Sequence, residues 1–227
     1  PLEKQILQNI LANLYWQYFQ QNRWKFYNRT QTASKPESND FRTWDLQTLV
    51  TEVHTYFNAS LQNPKLLQEA PLETLDPILA IQENSKLYRP TVYDLLAHQA
   101  LDFYKTSETN ITKPAYAFQI DATDYLQDHT TFIKLELKSK DSVSLQLNAL
   151  QLYQDLIHFH ANDKNPAALI DVNIERLLFV KEHTTVSDAQ RILLNTFRKE
   201  KENVATDPAA TLYDYQIALI LQEQAST

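Results

Sequence analysis

The chain has 227 residues, of which 43% are hydrophobic and 22% charged, and its net charge at neutral pH is −7. This length and apolar content suffice for one large folded domain or two small ones, and nothing in the composition suggests disorder. The acidic balance argues against a nucleic-acid partner, and no run of 18 or more apolar residues predicts a membrane span within the chain.

Cysteine and glycine are both absent from the sequence. Without cysteine there can be no disulfide, thiolate metal site or cysteine nucleophile. Without glycine, neither a phosphate-binding loop nor a GxSxG nucleophile elbow can be written. A serine hydrolase stays formally possible but has no supporting motif, because triads are recognised by geometry. We therefore predict a protein that is not an enzyme and holds no cofactor.

Apolar residues recur at helical spacing in seven segments. The predicted helices cover residues 2–27, Trp44 to Leu61, Pro90 to Tyr104, Leu145 to His160, Pro166 to Lys181, Ser187 to Asn203 and Pro208 to Gln224. Asp141 and Ser142 are the candidate caps of the fourth helix. The polar run 28–40 predicts a loop or linker after the first helix.

These segments predict an all-α fold of about seven helices, stacked as antiparallel hairpins in an irregular α-solenoid, similar to tetratricopeptide repeats, or in a bundle. Residues 132–140, FIKLELKSK, alternate enough to allow one short β segment. The chain is expected to form a single all-α region over residues 1–227, or two helical sub-units, 1–106 and 141–227, joined by an irregular segment, 107–140.

Three polar residues of the third helix, Asp94, His98 and Asp102, follow one another at intervals of four and so share one side of it. A helical projection turns this trio away from the apolar residues, so we predict solvated pairing instead of a metal or acid/base site. The same projection predicts a buried face formed by Val92, Leu96, Ala100 and Phe103.

Other charged and histidine motifs also have ordinary interpretations. His158 and His160 are two apart, which separates their imidazoles by about 200° on a helix and prevents joint metal ligation. RKEKE at 198–202 alternates in sign, as solvated helix faces do. No metal site is predicted.

Aromatic residues are concentrated in LYWQYFQQNRWKFY, residues 14–27. Aromatics at helical spacing usually pack in a core, but tyrosine and tryptophan on a helical repeat also serve as protein-contact residues. Both interpretations stay open. The candidate partner-contact residues are Tyr15, Trp16, Tyr18, Trp24 and Trp44.

Five blocks of the chain are distinctive enough for comparison with a known family. They are YWQYFQQNRWKFYNRT (15–30), DFRTWDLQTLVTEV (40–53), YRPTVYDLLAHQALDFY (88–104), ITKPAYAF (111–118) and ALQLYQDLIHFHANDKNPAALIDVNIERLLFV (149–180). In this order the blocks resemble the N-terminal helical region of very large bacterial alpha-2-macroglobulin-like proteins. The C-terminal part resembles the helical continuation of that family only loosely.

The resemblance implies an extracytoplasmic protein of the periplasm or cell envelope, in which this region is a fragment that precedes β-sandwich macroglobulin domains. Full-length relatives are implied to trap or block proteases, some through a Cys-Glu-Gln thioester. This chain has no cysteine and hence no thioester, and no catalytic or bait residue can be carried over.

Two hypotheses follow for the function. The first is a non-catalytic structural and interaction domain of an alpha-2-macroglobulin-like envelope protein, which contacts its own downstream domains or another envelope protein. The second is a free-standing helical-repeat adaptor that binds a protein or peptide through the aromatic-rich face.

Overall fold

The structure is a computed structural model that describes residues 2–27, 29, 40–80, 82–106, 116–141 and 144–226. Within these residues the chain is all-α and contains no strand, which confirms the predicted fold class. Most of the predicted linker 28–40, the first part of the irregular segment 107–140 and the candidate cap Ser142 lie outside the described residues.

The helices follow the apolar periodicity of the sequence closely. They are α1 (Leu2–Gln21), α2 (Arg23–Tyr27), α3 (Leu46–Ser60), α4 (Pro64–Glu69), α5 (Ser85–Tyr88), α6 (Val92–Tyr104), α7 (His129–Phe132), α8 (Leu145–His160), α9 (Ala167–His183), α10 (Ala189–Asn203) and α11 (Thr211–Ala225). Short 3₁₀ helices lie at Phe41–Thr43, Leu72–Ile78, Thr123–Leu126 and Pro208–Ala210. In the part of the chain described, seven α-helices have 13 residues or more, as predicted.

The chain divides into two compact units. The first unit comprises residues 1–81 and 91–113, and the second comprises residues 82–90 and 114–227. Residues 116–141, which the sequence suggested as part of a linker, group with the second unit.

In the first unit, α1 packs along α3, and α6 contacts both helices. Aromatic rings fill the core between them: Trp16 stacks on Phe19 at 5.0 Å between centroids, and Phe57 stacks on Phe103 at 5.5 Å. Val92, Leu96, Ala100 and Phe103 of α6 are buried, as the helical projection predicted.

In the second unit, α9 lies against α8, α10, α11 and the short α5. Helix α8 is capped by Ser144, whose hydroxyl accepts a hydrogen bond from Leu147 N at 3.2 Å, so the candidate Asp141 is not its cap. Arg89 pairs with Asp171 and lies 3.9 Å from Glu175, which joins the segment 82–90 to α9.

The predicted β segment at 132–140 does not form. Helix α7 ends at Phe132, and the following residues have no partner strand among the described parts of the chain. Side chains of α8 occupy the carbonyls that a strand would offer: Gln154 donates to Leu135 O at 2.9 Å, and Gln151 donates to Leu137 O at 3.2 Å. The alternation marks only which side chains face inward, because Leu137 is buried between exposed neighbours.

Candidate functional site

The five candidate contact aromatics do not form one exposed face. Trp16 and Trp44 are buried in the first unit and are removed from its surface. Tyr15 and Tyr18 are half-buried, and Trp24 on α2 is 66% exposed.

Ring contacts account for the half-buried tyrosines. The Tyr15 ring lies 5.2 Å from Phe41, 5.7 Å from Trp44 and 5.8 Å from Tyr56, measured between centroids. Such offset and edge contacts stabilise a fold beyond the area that they bury. The core-packing interpretation therefore explains most of this aromatic segment.

Asp94 corrects the predicted exposure of the acid and imidazole trio, because it is only 1% exposed. Its carboxylate accepts hydrogen bonds from Thr91 N at 2.9 Å and from the Thr91 hydroxyl at 2.7 Å. In return, the Thr91 hydroxyl oxygen accepts from Asp94 N at 3.3 Å, which completes a capping box. Thr91 is thus the N-cap of α6 and Val92 its first residue, so the predicted start at Pro90 was too early.

The other two members of the trio lie apart from that box. His98 is half-buried, and the Asp102 side chain is 75% exposed and pairs with Lys105 at 3.2 Å. Across the described residues, no group of three or more histidine or acidic side chains could hold a metal ion. The three residues do not assemble into a site.

A buried polar cluster in the second unit is the largest feature that the sequence did not predict. We call it the α9–α10 cluster; it consists of His129, Asn173, Arg176, Glu200 and Tyr213. Glu200 contradicts the interpretation of RKEKE as a wholly solvated face, because its side chain is buried while its neighbours in the motif are not.

Arg176 is the donor at the centre of the α9–α10 cluster. Its Nη1 donates to Tyr125 O at 2.7 Å, and its Nη2 donates to Gln127 O at 2.9 Å and also to Asn173 Oδ1. The guanidinium carbon lies 4.4 Å from the Phe132 ring centroid. Burial lowers the pKa of Arg176 to about 10, so the side chain stays charged at neutral pH.

Glu200 is the principal acceptor of the cluster. Its Oε1 accepts from His129 N at 2.6 Å and from Asn173 Nδ2 at 2.9 Å, and its Oε2 lies 2.8 Å from His129 Nδ1. Burial acts to raise the pKa of Glu200, but the hydrogen bonds from His129 and Asn173 outweigh it and hold that pKa below its usual value.

Two more contacts extend the cluster along α10. The Thr196 hydroxyl donates to Leu126 O at 2.7 Å, and Lys199 Nζ donates to Asp128 Oδ2 at 2.6 Å. Asp128 also caps α7 through Thr131 N. Burial acts to raise the pKa of Asp128, but its hydrogen bonds from Lys199, Thr130 and Thr131 outweigh this effect and hold that pKa below its usual value.

The α9–α10 cluster anchors one backbone segment to two helices. Side chains of α9 and α10 bind the backbone of residues 125–129 at successive positions, three carbonyls and one N–H, and so fix this segment to the two helices. A carboxylate beside an imidazole could transfer a proton, but the Glu200 carboxylate already accepts hydrogen bonds from His129 and Asn173, so these contacts serve a structural role. One sequence signal was present: Asn173 and Arg176 stand one turn apart among the apolar residues Val172, Ile174 and Leu177 of α9.

Helix α1 buries two polar side chains beside Ala12, Trp16 and Phe19 and exposes apolar side chains on its outer side. Two amides point into the core: Gln5 Nε2 donates to Gln62 O at 2.7 Å, and Asn9 Nδ2 donates to Leu96 O at 3.2 Å. On the opposite side, Leu7, Ile10 and Leu14 are 64%, 45% and 56% exposed. We call these three residues the α1 stripe.

The sequence around the α1 stripe carries no charge. Residues 5–22 contain no acidic or basic side chain, and the exposed positions beside the stripe include Gln17 and Gln21. Solvent-facing helices of soluble proteins usually carry charged residues on the outer side, whereas the centres of protein interfaces are depleted of them. The stripe therefore has the composition of an interface.

In the part of the chain that the structure describes, no helix is both long and apolar enough to cross a membrane. No protein-family model, curated protein or solved structure shows significant similarity to the chain.

Proposed function

We propose that the chain is a non-catalytic structural and interaction domain of a bacterial alpha-2-macroglobulin-like protein of the cell envelope. The observation that carries the interaction role is the α1 stripe, an apolar, charge-free line on the outer side of a long helix. Its partner would be a downstream domain of the same polypeptide or another envelope protein.

The use of the buried polar groups supports a structural role. Glu200 and Arg176 are occupied in fixing residues 125–129, and Asp94 is occupied in starting α6. Perturbed pKa values often mark active sites, but structural networks perturb pKa values too, and the contacts of Arg176 and Glu200 all serve to hold the fold together.

The family assignment rests on the five sequence blocks given above, which occur in the family's order. It implies an extracytoplasmic location and a parent protein that inhibits proteases. The chain itself would contribute neither a thioester nor a bait segment, since it has no cysteine and no matching motif.

The complete open reading frame tests this assignment. We expect it to encode an N-terminal secretion signal and, after the helical region, a series of β-sandwich macroglobulin domains. A reading frame that ends close to residue 227 would contradict the assignment and favour a free-standing protein.

The adaptor hypothesis has weaker support. Of its five proposed contact residues, Trp24 alone is mostly exposed, and it lies beside Lys25, whose Nζ is 5.4 Å from the indole centroid. Trp16 and Trp44 are buried. A single tryptophan is a smaller contact surface than the α1 stripe, so the scaffold role is the better supported of the two.

A further inference from the structure

The residues of the α1 stripe are spaced almost evenly about Ile10, with Leu7 three residues before it and Leu14 four residues after it. Residues 7–14 are LQNILANL, so leucines stand at both ends and Ile10 and Leu11 stand at the centre. Leu7 and Leu14 are equidistant from the point between Ile10 and Leu11. A two-fold axis at that point would place Leu7 of one helix opposite Leu14 of an antiparallel second copy.

We propose that the α1 stripe binds the α1 stripe of a second copy of this chain, in an antiparallel, two-fold symmetric helix pair. This inference deepens the proposed function and rests on it, because among the envelope proteins that could bind this surface it names a second copy of the same chain, in place of a downstream domain. In a two-fold interface each patch must complement itself, and an apolar line with a leucine on each side of Ile10 satisfies that condition.

The spacing of the stripe favours a helix as the occupant. Its residues follow one another at intervals of three and four, the spacing with which helices pack along a shared seam. An extended peptide would need side-chain contacts at a spacing of two.

Charge is compatible with a second copy. Each chain carries a net charge of −7, so two copies repel one another, and this repulsion is not increased locally if the contact surface itself is neutral. Residues 5–22 meet that condition.

The area of the surface predicts a weak and reversible dimer. A helix of 20 residues is about 30 Å long and about 10 Å wide, so one face offers roughly 300 Å² per copy. The pair would bury roughly 600 Å², below the approximately 1,200 Å² at which stable complexes begin. Association should therefore depend on concentration in the range of weak, transient complexes.

Mixed cysteine cross-linking tests the proposal, because the natural chain has no cysteine. Leu7→Cys and Leu14→Cys are prepared as separate full-chain variants. Disulfide formation requires the two Cα atoms to lie within about 7 Å. In the proposed pair, the thiol introduced by Leu7→Cys meets only the thiol introduced by Leu14→Cys on the other copy. Two copies of the Leu7→Cys variant would hold their thiols about 10 Å apart along the axis.

We expect the equimolar mixture to form at least about ten times more cross-linked dimer under mild oxidation than either variant alone. A matched pair on α3, Gln47→Cys with Thr55→Cys, reports random collision, since both positions are exposed and lie outside the stripe. Equal yields in the stripe mixture and the α3 mixture would overturn the proposal, as would self-linking of the Leu7→Cys variant alone.

A second measurement separates failure of this inference from failure of the proposed function. The remainder of the chain's own polypeptide is titrated with the wild-type chain and with Leu14→Lys. If no mixed cross-link forms but Leu14→Lys weakens this binding, the stripe is an interface and the second copy is the wrong occupant. If neither effect occurs, the interaction role of the stripe is wrong as well.

Discussion

Arg176 shows how much of the second unit depends on one side chain. It is fully buried and donates to two backbone carbonyls of the segment before α7 and to Asn173. A buried charge is tolerated only when its hydrogen-bonding groups are largely satisfied, and removing one partner leaves the rest unpaired.

We expect Arg176→Ala to lower the free energy of unfolding by roughly 3–5 kcal/mol, because Glu200 and two carbonyls lose their compensating charge or donor. Urea denaturation followed by circular dichroism measures the change. Arg191→Ala is the matched control: its exposed pair with Asp188 should contribute less than about 1 kcal/mol. Equal losses in the two variants would contradict the role assigned to Arg176.

Asp94 carries the second prediction at this scale. Asp94→Ala removes one half of the capping box of α6 and should cost about 1 kcal/mol of stability. Asp102→Ala, on the exposed side of the same helix, should change stability by less than about 0.5 kcal/mol. Thermal unfolding of both variants measures these changes. An unchanged melting temperature for Asp94→Ala would show that the capping box does not stabilise α6.

The contrast between Asp94 and Asp102 shows what a sequence reveals about single residues. Helical projection assigned Asp102 to solvent correctly, since mid-helix side chains follow the angle of their Cα atoms. It was wrong for Asp94, because side chains of the first turn fold back to unpaired N–H groups. Glu200 escaped prediction for a different reason: its partners His129 and Asn173 are distant in sequence.

At the scale of elements, the core side of α1 carries two amides, Gln5 and Asn9, together with buried aromatic rings, whereas its outer side carries the exposed α1 stripe. Phe19→Ala should cost roughly 3–5 kcal/mol, since the Phe19 ring is fully buried and stacks on Trp16. Leu14→Ala should change the free energy of unfolding by less than about 0.5 kcal/mol, because the stripe does not contribute to the core. Chemical denaturation of dilute protein compares the free energies of unfolding of the two variants. A large loss of stability for Leu14→Ala would show that Leu14 packs in the core and that the orientation assigned to α1 is wrong.

The hydrogen-bonded attachment of residues 125–129 to α9 and α10 should weaken in acid. The pKa of Glu200 lies below its ordinary value of 4.5, and that of Asp128 lies below 3.8. Because each pKa is lower in the folded than in the unfolded state, the stabilisation is complete above the unfolded-state value. It is lost as the pH falls through the folded-state value.

We therefore expect the free energy of unfolding to decrease below about pH 4.5, and Glu200→Gln to reduce that dependence. Urea titrations between about pH 3 and pH 7 measure it. Glu202→Gln, an exposed position on the same helix, should retain the wild-type dependence. If Glu200→Gln retains it too, the buried carboxylate does not control acid stability.

The long helices were predictable because their apolar residues recur with helical period over 13 residues or more. The segment 132–140 was not, because alternation shows which side chains face inward but not whether a second strand is present. In this case Gln151 and Gln154 take the place of that strand.

At the scale of the whole molecule, composition and periodicity were enough to predict the all-α class, whereas the division of the chain was beyond them. Residues 82–90 belong to the second unit although the chain on either side belongs to the first. The contacts that hold this segment, from Arg89 to Asp171 and Glu175, join residues distant in sequence and leave no local pattern.

The function proposed for the whole chain depends on one surface. If the α1 stripe is an interface, its three apolar residues are exposed for binding, and the absence of charge over residues 5–22 is explained. Leu7→Lys combined with Leu14→Lys places two charges in that surface without disturbing the core. Leu66→Lys, at another exposed leucine of the first unit, is the matched control.

Sedimentation velocity of the three proteins over a range of concentrations is the most direct measurement. We predict that the sedimentation coefficient of the wild type and of Leu66→Lys rises with concentration. The double variant should stay monomeric over this range, because its dimer dissociation constant is expected to rise by at least about tenfold. Superimposable, concentration-independent profiles for all three proteins would contradict self-association through α1.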